Sequence, residues 1–240
     1  MRVAVLSDIH ANLAALDAVL GSLGSVDAVW HLGDVVGYGP EPDGVVERLS
    51  TAGATGVRGN HDSAACGGRE IEWFNPDAKA AMEWTRTAIS ETTRAWLTAL
   101  PERRVEGDFT LVHGSPRDPI WEYITSVPVA RANLADLGTS YGLHGHTHVP
   151  AAYRDDDGRV EAISPTAGSG MALDDRRMLI NPGSVGQPRD GDPAASYLLV
   201  DTEARRCSWH RVGYDVGSVQ AAMDAAGLPP RLVGRLSHGI

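Results

Sequence analysis

The sequence predicts an α/β fold in a single domain that spans all 240 residues. In the first third of the chain, short apolar runs alternate with apolar residues at helical spacing, which is typical of parallel strands joined by helices. After residue 150, apolar segments flank the turn signal Asp157-Gly158, which indicates antiparallel hairpins. The sequence shows no repeat, low-complexity tract or linker. We therefore expect one domain with a parallel first half and an antiparallel second half.

Apolar spacing predicts the elements of the first half. Buried strands are expected at residues 3–6, 28–32 and 55–58. Leucines at helical spacing predict a helix over residues 13–23. A second helix begins near Pro42, because proline is favoured in the first turn of a helix. Right-handed crossovers are expected to join these parallel strands.

A block of helices is expected between the third and fourth strands. It begins at Asn75-Pro76, a capping residue followed by a first-turn proline, and reaches about residue 99. We expect it to form a helical, cap-like insertion over about residues 63–108. The remaining predicted elements are helices near residues 129–137 and from about 218 onward, and strands at 109–113, 141–144, 151–154, 159–163, 178–180, 196–200 and 207–212.

The composition argues against several classes of protein. Asp and Glu number 31 against 21 Lys and Arg, so the net charge is −10, which argues against a nucleic-acid or anionic-membrane surface. Cys66 and Cys207 form no CxxC motif, which excludes a cysteine zinc site and fits a reducing compartment. The N-terminal apolar run is too short for a signal peptide, and no run reaches membrane-spanning length. We therefore expect a cytoplasmic protein without a membrane partner.

Polar side chains follow five of the predicted strands, at the point where each strand ends. Ligands of open α/β sheets bind beyond the carboxyl ends of the strands, so we expect these side chains to converge. They are oxygen and imidazole donors without a thiolate, which suits Mn, Fe, Zn, Co or Ni better than calcium. Seven donors exceed one tetrahedral site but suffice for two metals if one carboxylate bridges them. The seven are Asp8, His10, Asp34, Asn60, His113, His146 and His148.

The same clusters form an ordered series of motifs. In chain order they read Asp8-x-His10, Gly33-Asp34-x-x-Gly37, Gly59-Asn60-His61-Asp62, His113-Gly114 and Gly145-His146-x-His148. This series resembles the five motifs of the calcineurin-like metallophosphoesterases. Tyr38-Gly39-Pro40 and residues 181–186 make it similar to their compact bacterial and archaeal phosphodiesterase branch. The resemblance implies an αββα four-layer sandwich, in which helices flank two mixed sheets.

The resemblance also implies a role for each motif residue. His61 would point at the scissile phosphate, stabilise charge in the transition state and protonate the leaving oxygen, and Asp62 would orient it by accepting its other ring N–H. Asn60 would contact the substrate as well as a metal. Two divalent ions are expected, Mn²⁺ in the first place, with Fe, Zn, Ni or Co as alternatives. One would be held by Asp8, His10 and His148, and the other by Asn60, His113 and His146, with Asp34 as the bridge.

The implied function is that of a metal-dependent phosphodiesterase or phosphatase. A hydroxide shared by the metals would attack phosphorus in line, and the substrate would be a small phosphodiester or phosphomonoester. A non-catalytic scaffold of the same fold is an alternative, although such relatives lose the ligands that this chain keeps. A nuclease is a further alternative, which the acidic composition disfavours. The sequence leaves open whether the protein forms a homo-oligomer.

Several residues outside the motifs keep two interpretations. Arg189 follows a glycine-rich turn and would either contact a substrate phosphate or form a surface salt bridge. Tyr38 and the segment 73–75 would either wall a pocket near the metals or pack against helices. Of the other histidines, His31 and His144 are expected to pack within strands, and His210 and His238 to lie on the surface.

Overall fold

The first strand needs a packing partner on each of its faces. In β1 (Arg2–Leu6), Val3 and Val5 are buried toward one face and Ala4 and Leu6 toward the other. A second sheet covers the first face and helices cover the second. The computed structural model describes residues 1–240, with residue 70 described by its backbone alone, and it confirms the αββα sandwich of two mixed sheets flanked by helices.

Parallel strands and an antiparallel partner meet in the first sheet. Over the described residues its order is β3 (Thr55–Gly56), β2 (Ala28–His31), β1, β11 (Ala195–Asp201), β12 (Arg206–Val212) and β9 (Gly170–Ala172). The pairs β1–β2 and β2–β3 are parallel, as the alternation of strands and helices predicts. On its other side, β1 pairs antiparallel with β11, which returns from the second half of the chain.

The second sheet contains the strands that carry the later histidines. Its order over the described residues is β4 (Arg103–Glu106), β5 (Phe109–Val112), β6 (Tyr141–Leu143), β10 (Met178–Asn181), β7 (Ala151–Asp156) and β8 (Arg159–Ile163). The strand β10, which was expected to be antiparallel, pairs parallel with β6 and antiparallel with β7. The second half of the chain is therefore not purely antiparallel, because β10 joins the β5–β6 pair to the β7–β8 hairpin.

Side-chain caps set the beginnings of several helices. Asn12 accepts the amide of Ala15 at the first helix, and Ser90 accepts that of Thr93, which divides the predicted block of residues 76–99 into two helices. The helices are α1 (Leu13–Ser22), α2 (Pro42–Thr51), α3 (Asn60–Ala65), α4 (Pro76–Ala88), α5 (Glu91–Ala99), α6 (Val127–Asp136), α7 (Val216–Ala225) and α8 (Pro230–Arg235), with a 3₁₀ helix at Arg69–Trp73.

The helices form the two outer layers of the sandwich. Buried residues of α1 to α5 pack with β1 and β11 on the first sheet, whereas α6 packs through Leu134 on β7 and β10 of the second sheet. The helices α7 and α8 pack on α4 and on Tyr38. Of the described helices, none is long and apolar enough to cross a membrane.

Residues 63–108 lie between the third motif, which ends at Asp62, and the fourth motif, which begins at His113, and they are mostly helical. The segment contains the end of α3, the 3₁₀ helix, α4 and α5, and its last part is the strand β4 rather than a helix. β4 pairs with β5 through a turn at Gly107, whose φ of 55° is in the left-handed region. Its function as a cap stays a prediction.

Candidate metal centre

The ends of five strands meet at one end of the sandwich. Asp8 follows β1, Asp34 follows β2 and Asn60 begins α3 just after β3, all in the first sheet. From the second sheet, His113 follows β5, and His146 with His148 follows β6. The seven predicted donors therefore converge, although they come from two sheets rather than one.

The backbone is strained where these side chains turn inward. Five of the seven donor residues have a positive φ, a conformation that non-glycine residues seldom adopt. Each such residue costs on the order of 1–3 kcal/mol, and such strain clusters at functional sites. The five are Asp8 at 53°, His10 at 49°, Asp34 at 51°, His146 at 67° and His148 at 61°.

One group of buried donors surrounds the first candidate metal position. Ligand atoms of Asp8, His10, Asp34 and His148 lie within 4.8 Å of one another. The Nε2 atoms of His10 and His148 are 3.1 Å apart, and Nε2 of His148 is 3.2 Å from Oδ1 of Asp8. Donor atoms this close, with no bulky group between them, can share one cation.

A second group of buried donors lies beside the first. Ligand atoms of Asp34, His113 and His146 lie within 4.8 Å of one another. Nε2 of His113 is 3.0 Å from Nδ1 of His146 and 3.0 Å from Oδ1 of Asn60, so the amide oxygen joins this group. These residues could hold a second cation.

Asp34 belongs to both groups. Its Oδ2 is 3.6 Å from Nε2 of His10 and 3.4 Å from Nε2 of His113. Its Oδ1 accepts the backbone N–H of His61 at 2.9 Å, which fixes the carboxylate plane. The position of Asp34 between the groups is the one that a bridging carboxylate requires.

Backbone carbonyls orient three of the four imidazoles. Nδ1 of His113 faces the carbonyl of Leu32 at 2.8 Å, and Nδ1 of His148 faces that of Gln187 at 2.6 Å. Nδ1 of His10 faces the carbonyl of Val36 at 3.2 Å. Since a carbonyl only accepts, each Nδ1 donates and each Nε2 is directed at the centre.

Asp8 shows most directly that the site fits a cation. Its Oδ2 accepts the hydroxyl of Ser7 at 2.7 Å and the amide of His146 at 3.1 Å. Its Oδ1 is buried and has no hydrogen-bond partner among the described residues. A buried carboxylate oxygen without a partner is costly, and a divalent cation would satisfy it.

Burial and mutual charge set the protonation of the centre. Burial opposes the ionisation of Asp34, yet His113 and His61 hold its pKa well below its ordinary range. Burial lowers the pKa of His113, but Asp34 and Asp8 outweigh it and raise that pKa to about 9. Burial raises the pKa of Asp8 to about 6. A bound cation would replace the proton of His113 and keep Asp8 ionised.

His61 lies at the edge of the two groups and is held by packing. Its ring centroid is 4.4 Å from that of Tyr38, 4.6 Å from that of Phe74 and 4.8 Å from that of His10. Its Nδ1 has no hydrogen-bond partner among the described residues. Burial lowers the pKa of His61 to about 4. Tyr38, together with Phe74 from the segment 73–75, thus forms a wall of the space beside the candidate metal ligands.

The expected contact between Asp62 and the ring of His61 is not present in the structure. Oδ1 of Asp62 accepts the amides of Val35 and Val36 at 2.9 and 3.1 Å, and its Oδ2 accepts that of Gly59 at 2.9 Å. The carboxylate faces the start of its own helix, where free amides attract it. The prediction that it accepts the ring N–H of His61 is wrong, and Asp62 instead fixes the two loops that carry Asp34 and Asn60.

Arg189 lies beside the centre. Its guanidinium carbon is 6.0 Å from the ring centroid of Tyr38, and its Nη2 donates to Oε1 of Gln187 at 3.0 Å. Within the described residues it forms no ion pair, which disfavours the surface salt bridge. Its positive charge contributes to lowering the pKa of His148, for which burial is the main cause.

Two residues of the centre escaped the sequence prediction. The ring of Tyr123 stacks on that of His146, with centroids 3.6 Å apart and an interplanar angle of 19°. Ser7 positions Asp8 as described above. Ser7 directly precedes the predicted ligand Asp8, so the sequence could have indicated that it contacts the site. Tyr123 lies in a loop, and no local sequence pattern connects it with His146.

The remaining histidines lie outside the two groups. His31 is buried at the end of β2 and stacks on Trp96, and His144 is buried directly after β6. His210 is half-buried on β12 and stacks on Tyr197, and His238 is exposed. His144 therefore does not share a site with His146 and His148, despite the alternate spacing of the three.

The fold and the two-group site define a metallophosphoesterase. Residues 1–205 match the calcineurin-like phosphoesterase superfamily domain, and the chain belongs to that superfamily. This confirms the resemblance that the five motifs indicate. The family and the clusters of Asp and His together point to the binding of divalent metal.

Individual relatives cover nearly the whole chain. A metallophosphoesterase from Sphaerobacter thermophilus, known by its crystal structure, is 45% identical with a TM-score of 0.92, and the match covers 100% of this chain and 99% of that one. The protein MJ0912 of Methanocaldococcus jannaschii is 34% identical, over 99% of this chain and 98% of its own. Phosphodiesterase YfcE of Escherichia coli is 29% identical, over 85% of this chain and 89% of its own.

Proposed function

We propose that the protein is a phosphoesterase that hydrolyses small phosphodiesters or phosphomonoesters with the help of two divalent cations. The observation that carries this proposal is the position of Asp34 between the two donor groups. Its Oδ2 lies 3.6 Å from Nε2 of His10 in one group and 3.4 Å from Nε2 of His113 in the other, and His61, which belongs to neither group, lies beside them. The name of the Escherichia coli relative, a phosphodiesterase, supports the same class of reaction.

The donor set suits a pair of first-row divalent cations. Asp8, His10 and His148 would hold one, Asn60, His113 and His146 the other, and Asp34 would bridge them. Mixed carboxylate and imidazole donors without a thiolate fit Mn²⁺, which we propose as the native metal, and also accept Fe, Zn, Co or Ni. Bound there, such cations lower the pKa of water to about 7 and neutralise the charge of a phosphate.

In this proposal His61 acts on the phosphate rather than on a metal. Its burial favours the neutral ring, which can donate one N–H to a phosphate oxygen. An anionic substrate opposes the effect of burial, since negative charge within about 4–6 Å favours imidazolium. The substrate itself thus brings His61 toward the state that protonates a leaving oxygen.

Among the described residues, the neighbours of His61 hold it by packing, with no hydrogen bond to its ring. Tyr38 and Phe74 enclose it, and its own amide is bound to Asp34. We propose that Asn60 contacts the substrate as well as a metal, and that Arg189 donates to a non-bridging phosphate oxygen. Asp62 acts in this scheme as a positioning residue for the loops, not through the ring of His61.

The proposal is tested with bis(p-nitrophenyl) phosphate and p-nitrophenyl phosphate, each with Mn²⁺, Co²⁺, Ni²⁺ or Zn²⁺. We expect hydrolysis that requires added metal, and in His61→Ala a loss of about 10²–10⁴-fold in kcat. The metal content, measured by plasma mass spectrometry, should stay at two equivalents in this variant. His210→Ala, which removes a histidine outside the centre, should keep full activity.

Four outcomes would contradict the proposal. Turnover without metal would exclude the role of the cations, and full activity of His61→Ala would exclude that of His61. A wild-type protein that binds two metals but cleaves neither ester would favour the non-catalytic scaffold. Nicking of plasmid DNA at rates above those on the small esters would favour the nuclease.

A further inference from the structure

A cleft of about 980 Å³ lies between residues beside the candidate metal centre and the C-terminal helix α8. Tyr38, Tyr123 and Arg189 line its inner end, where Tyr123 stacks on His146 and Tyr38 packs on His10 and His61. Its outer end is lined by Arg231 and Arg235 of α8 and by His238. The inner end of the cleft therefore lies next to side chains that contact the candidate ligands His10 and His146, and the outer end lies at α8.

The outer end is positively charged, although the whole chain carries a net charge of −10. Arg231 is exposed and Arg235 is half-buried on the same short helix, one turn apart. The acidic side chain that lines the cleft is Asp77 at the start of α4. Basic groups thus outnumber acidic ones in this cleft, against the trend of the molecule.

The arginines of the cleft lack the carboxylate partners that some other arginines of the chain have. Arg176 is paired with Asp174, and Arg211 with Asp190. In the part of the chain that the structure describes, no Asp or Glu oxygen lies within the 4.0 Å of an ion pair from Arg189, Arg231 or Arg235. Nε of Arg189 is buried and also lacks a hydrogen-bond partner among the described residues.

Arg235 keeps most of its donors free. Its Nε donates to the main-chain oxygen of Ile240, so its two Nη groups stay available to a ligand. Burial lowers the pKa of Arg235, and the charges of Arg189 and Arg231 lower it further, because like charges near one another destabilise the charged form. An anion between these groups would remove the repulsion.

We propose that Arg231 and Arg235 bind a second phosphate group of the substrate while the scissile phosphate lies at the metal centre. The substrate class is then a phosphate ester that carries another phosphate at a distance from the bond that is cleaved. A phosphate offers several oxygens to donors from different directions, which suits two guanidinium groups on one helix. This inference rests on the proposed function for the position of the scissile group.

The test uses two chromogenic esters that differ in one phosphate. Thymidine 5′-(p-nitrophenyl phosphate) and its 3′-phosphorylated derivative release the same p-nitrophenolate, so the second phosphate is the variable. We expect the wild-type protein to prefer the 3′-phosphorylated ester by at least tenfold in kcat/KM. In Arg231→Gln/Arg235→Gln this preference should disappear through a higher KM, because the second phosphate is bound equally before and during the reaction.

A matched variant controls for the change of net charge. Arg131 and Arg159 are exposed arginines of α6 and β8 that do not line the cleft, and Arg131→Gln/Arg159→Gln should keep the preference. Arg231→Gln alone removes an exposed side chain and should raise KM about threefold without affecting folding. Equal loss on both esters, or a wild-type protein without preference, would overturn the inference.

Calorimetric binding of thymidine 3′,5′-bisphosphate and thymidine 5′-phosphate separates this inference from the proposed function. If neither ester is hydrolysed but the bisphosphate binds at least tenfold more tightly, and only with Arg231 and Arg235 present, the second phosphate site stands and the proposed function fails. If the esters are hydrolysed but both nucleotides bind alike, the proposed function stands and the second phosphate site fails.

Discussion

The Nε2 atoms of His10 and His148 face each other at 3.1 Å, and the other hydrogen bonds of the two rings assign their protons to Nδ1. Nδ1 of each ring donates to a backbone carbonyl, that of Val36 or that of Gln187, so the proton of the neutral ring is on Nδ1. Burial lowers the pKa of both rings well below the ordinary value, which keeps them neutral. Two lone pairs therefore meet in a buried site, an arrangement that a cation between them would stabilise.

Removal of metal should accordingly destabilise the fold. A ligand present at a hundred times its Kd stabilises the native state by about 2.7 kcal/mol, so we expect a chelator to lower the Tm and added Mn²⁺ to restore it. Asp34→Asn should reduce the bound metal from two equivalents to below one, since both groups lose a carboxylate. His146→Ala should lose one equivalent. The measurements are scanning calorimetry and plasma mass spectrometry.

His210→Ala serves as the control for both measurements, because His210 lies on β12 away from the donor groups. Its metal content and its response to the chelator should match those of the wild-type protein. A Tm that does not change on chelation, or an Asp34→Asn protein that keeps two equivalents, would contradict this account of the site.

Gly37→Ala should impair catalysis without loss of metal. A Cβ at this position would lie 2.4 Å from Nδ1 of His61, and φ is 88°, a conformation that disfavours side chains. The ring of His61 would have to move from its place between Tyr38 and Phe74. We expect kcat to fall at least tenfold, since small displacements of a reacting group are costly, while the metal content stays at two equivalents.

Gly53→Ala is the matched control for this substitution. Its φ is 63°, also in the left-handed region, but a Cβ there would meet no atom within 4 Å. It should lose some stability and keep its kcat. If the two glycine variants lose kcat equally, the contact with His61 is not what requires a glycine at position 37.

Asp62→Asn should destabilise the protein although it preserves the shape of the side chain. An amide oxygen can still accept the N–H groups of Val35 and Val36, but its NH₂ would face the amide of Gly59, which then has no acceptor. An unsatisfied buried donor costs about 1–3 kcal/mol in unfolding free energy. Asp224→Asn, on the exposed face of α7, should stay within about 0.5 kcal/mol of the wild type.

Urea unfolding measures both aspartate variants. If Asp62→Asn is as stable as the wild-type protein, the three backbone hydrogen bonds are not what Asp62 contributes, and a direct role in the reaction regains support. A lower kcat at unchanged stability would point to that role. We expect instead that Asp62→Asn lowers the free energy of unfolding.

The convergence of the seven donor residues could be predicted because each follows the end of a strand within a few residues. A polar residue one or two positions after the last residue of an apolar run is a local feature, so Asp8, Asp34 and His113 are visible without a structure. The two-sheet arrangement is not visible in this way. The β1–β11 pair joins residues about 195 positions apart, and the motif resemblance rather than strand spacing implied the sandwich.

Contacts between side chains distant in sequence could not be predicted for the same reason. The stacking of Tyr123 on His146 and the cleft between Tyr38 and Arg235 arise from packing of separate layers. The partners of Asp62 were missed for another reason. Its proximity to His61 in sequence suggested a contact between the side chains, whereas the helix start at Asn60 turns the carboxylate toward backbone amides.

His31→Phe should reduce the loss of stability in acid. His31 is fully buried, stacks on Trp96 with centroids 5.5 Å apart, and neither ring nitrogen has a hydrogen-bond partner among the described residues. Burial lowers its pKa to about 4, so between the ordinary value of 6.5 and pH 4 the unfolded chain binds a proton that the native protein excludes. Stability is therefore lost as pH falls through this window and is unaffected above it.

The expected size of this effect follows from 1.36 kcal/mol per pKa unit: at pH 5 the lowered pKa of His31 costs about 2 kcal/mol of unfolding free energy relative to pH 7.5. Urea unfolding of His31→Phe at the two pH values should lack that part of the decline. A decline in the variant as steep as in the wild-type protein would show that His31 does not titrate in this way.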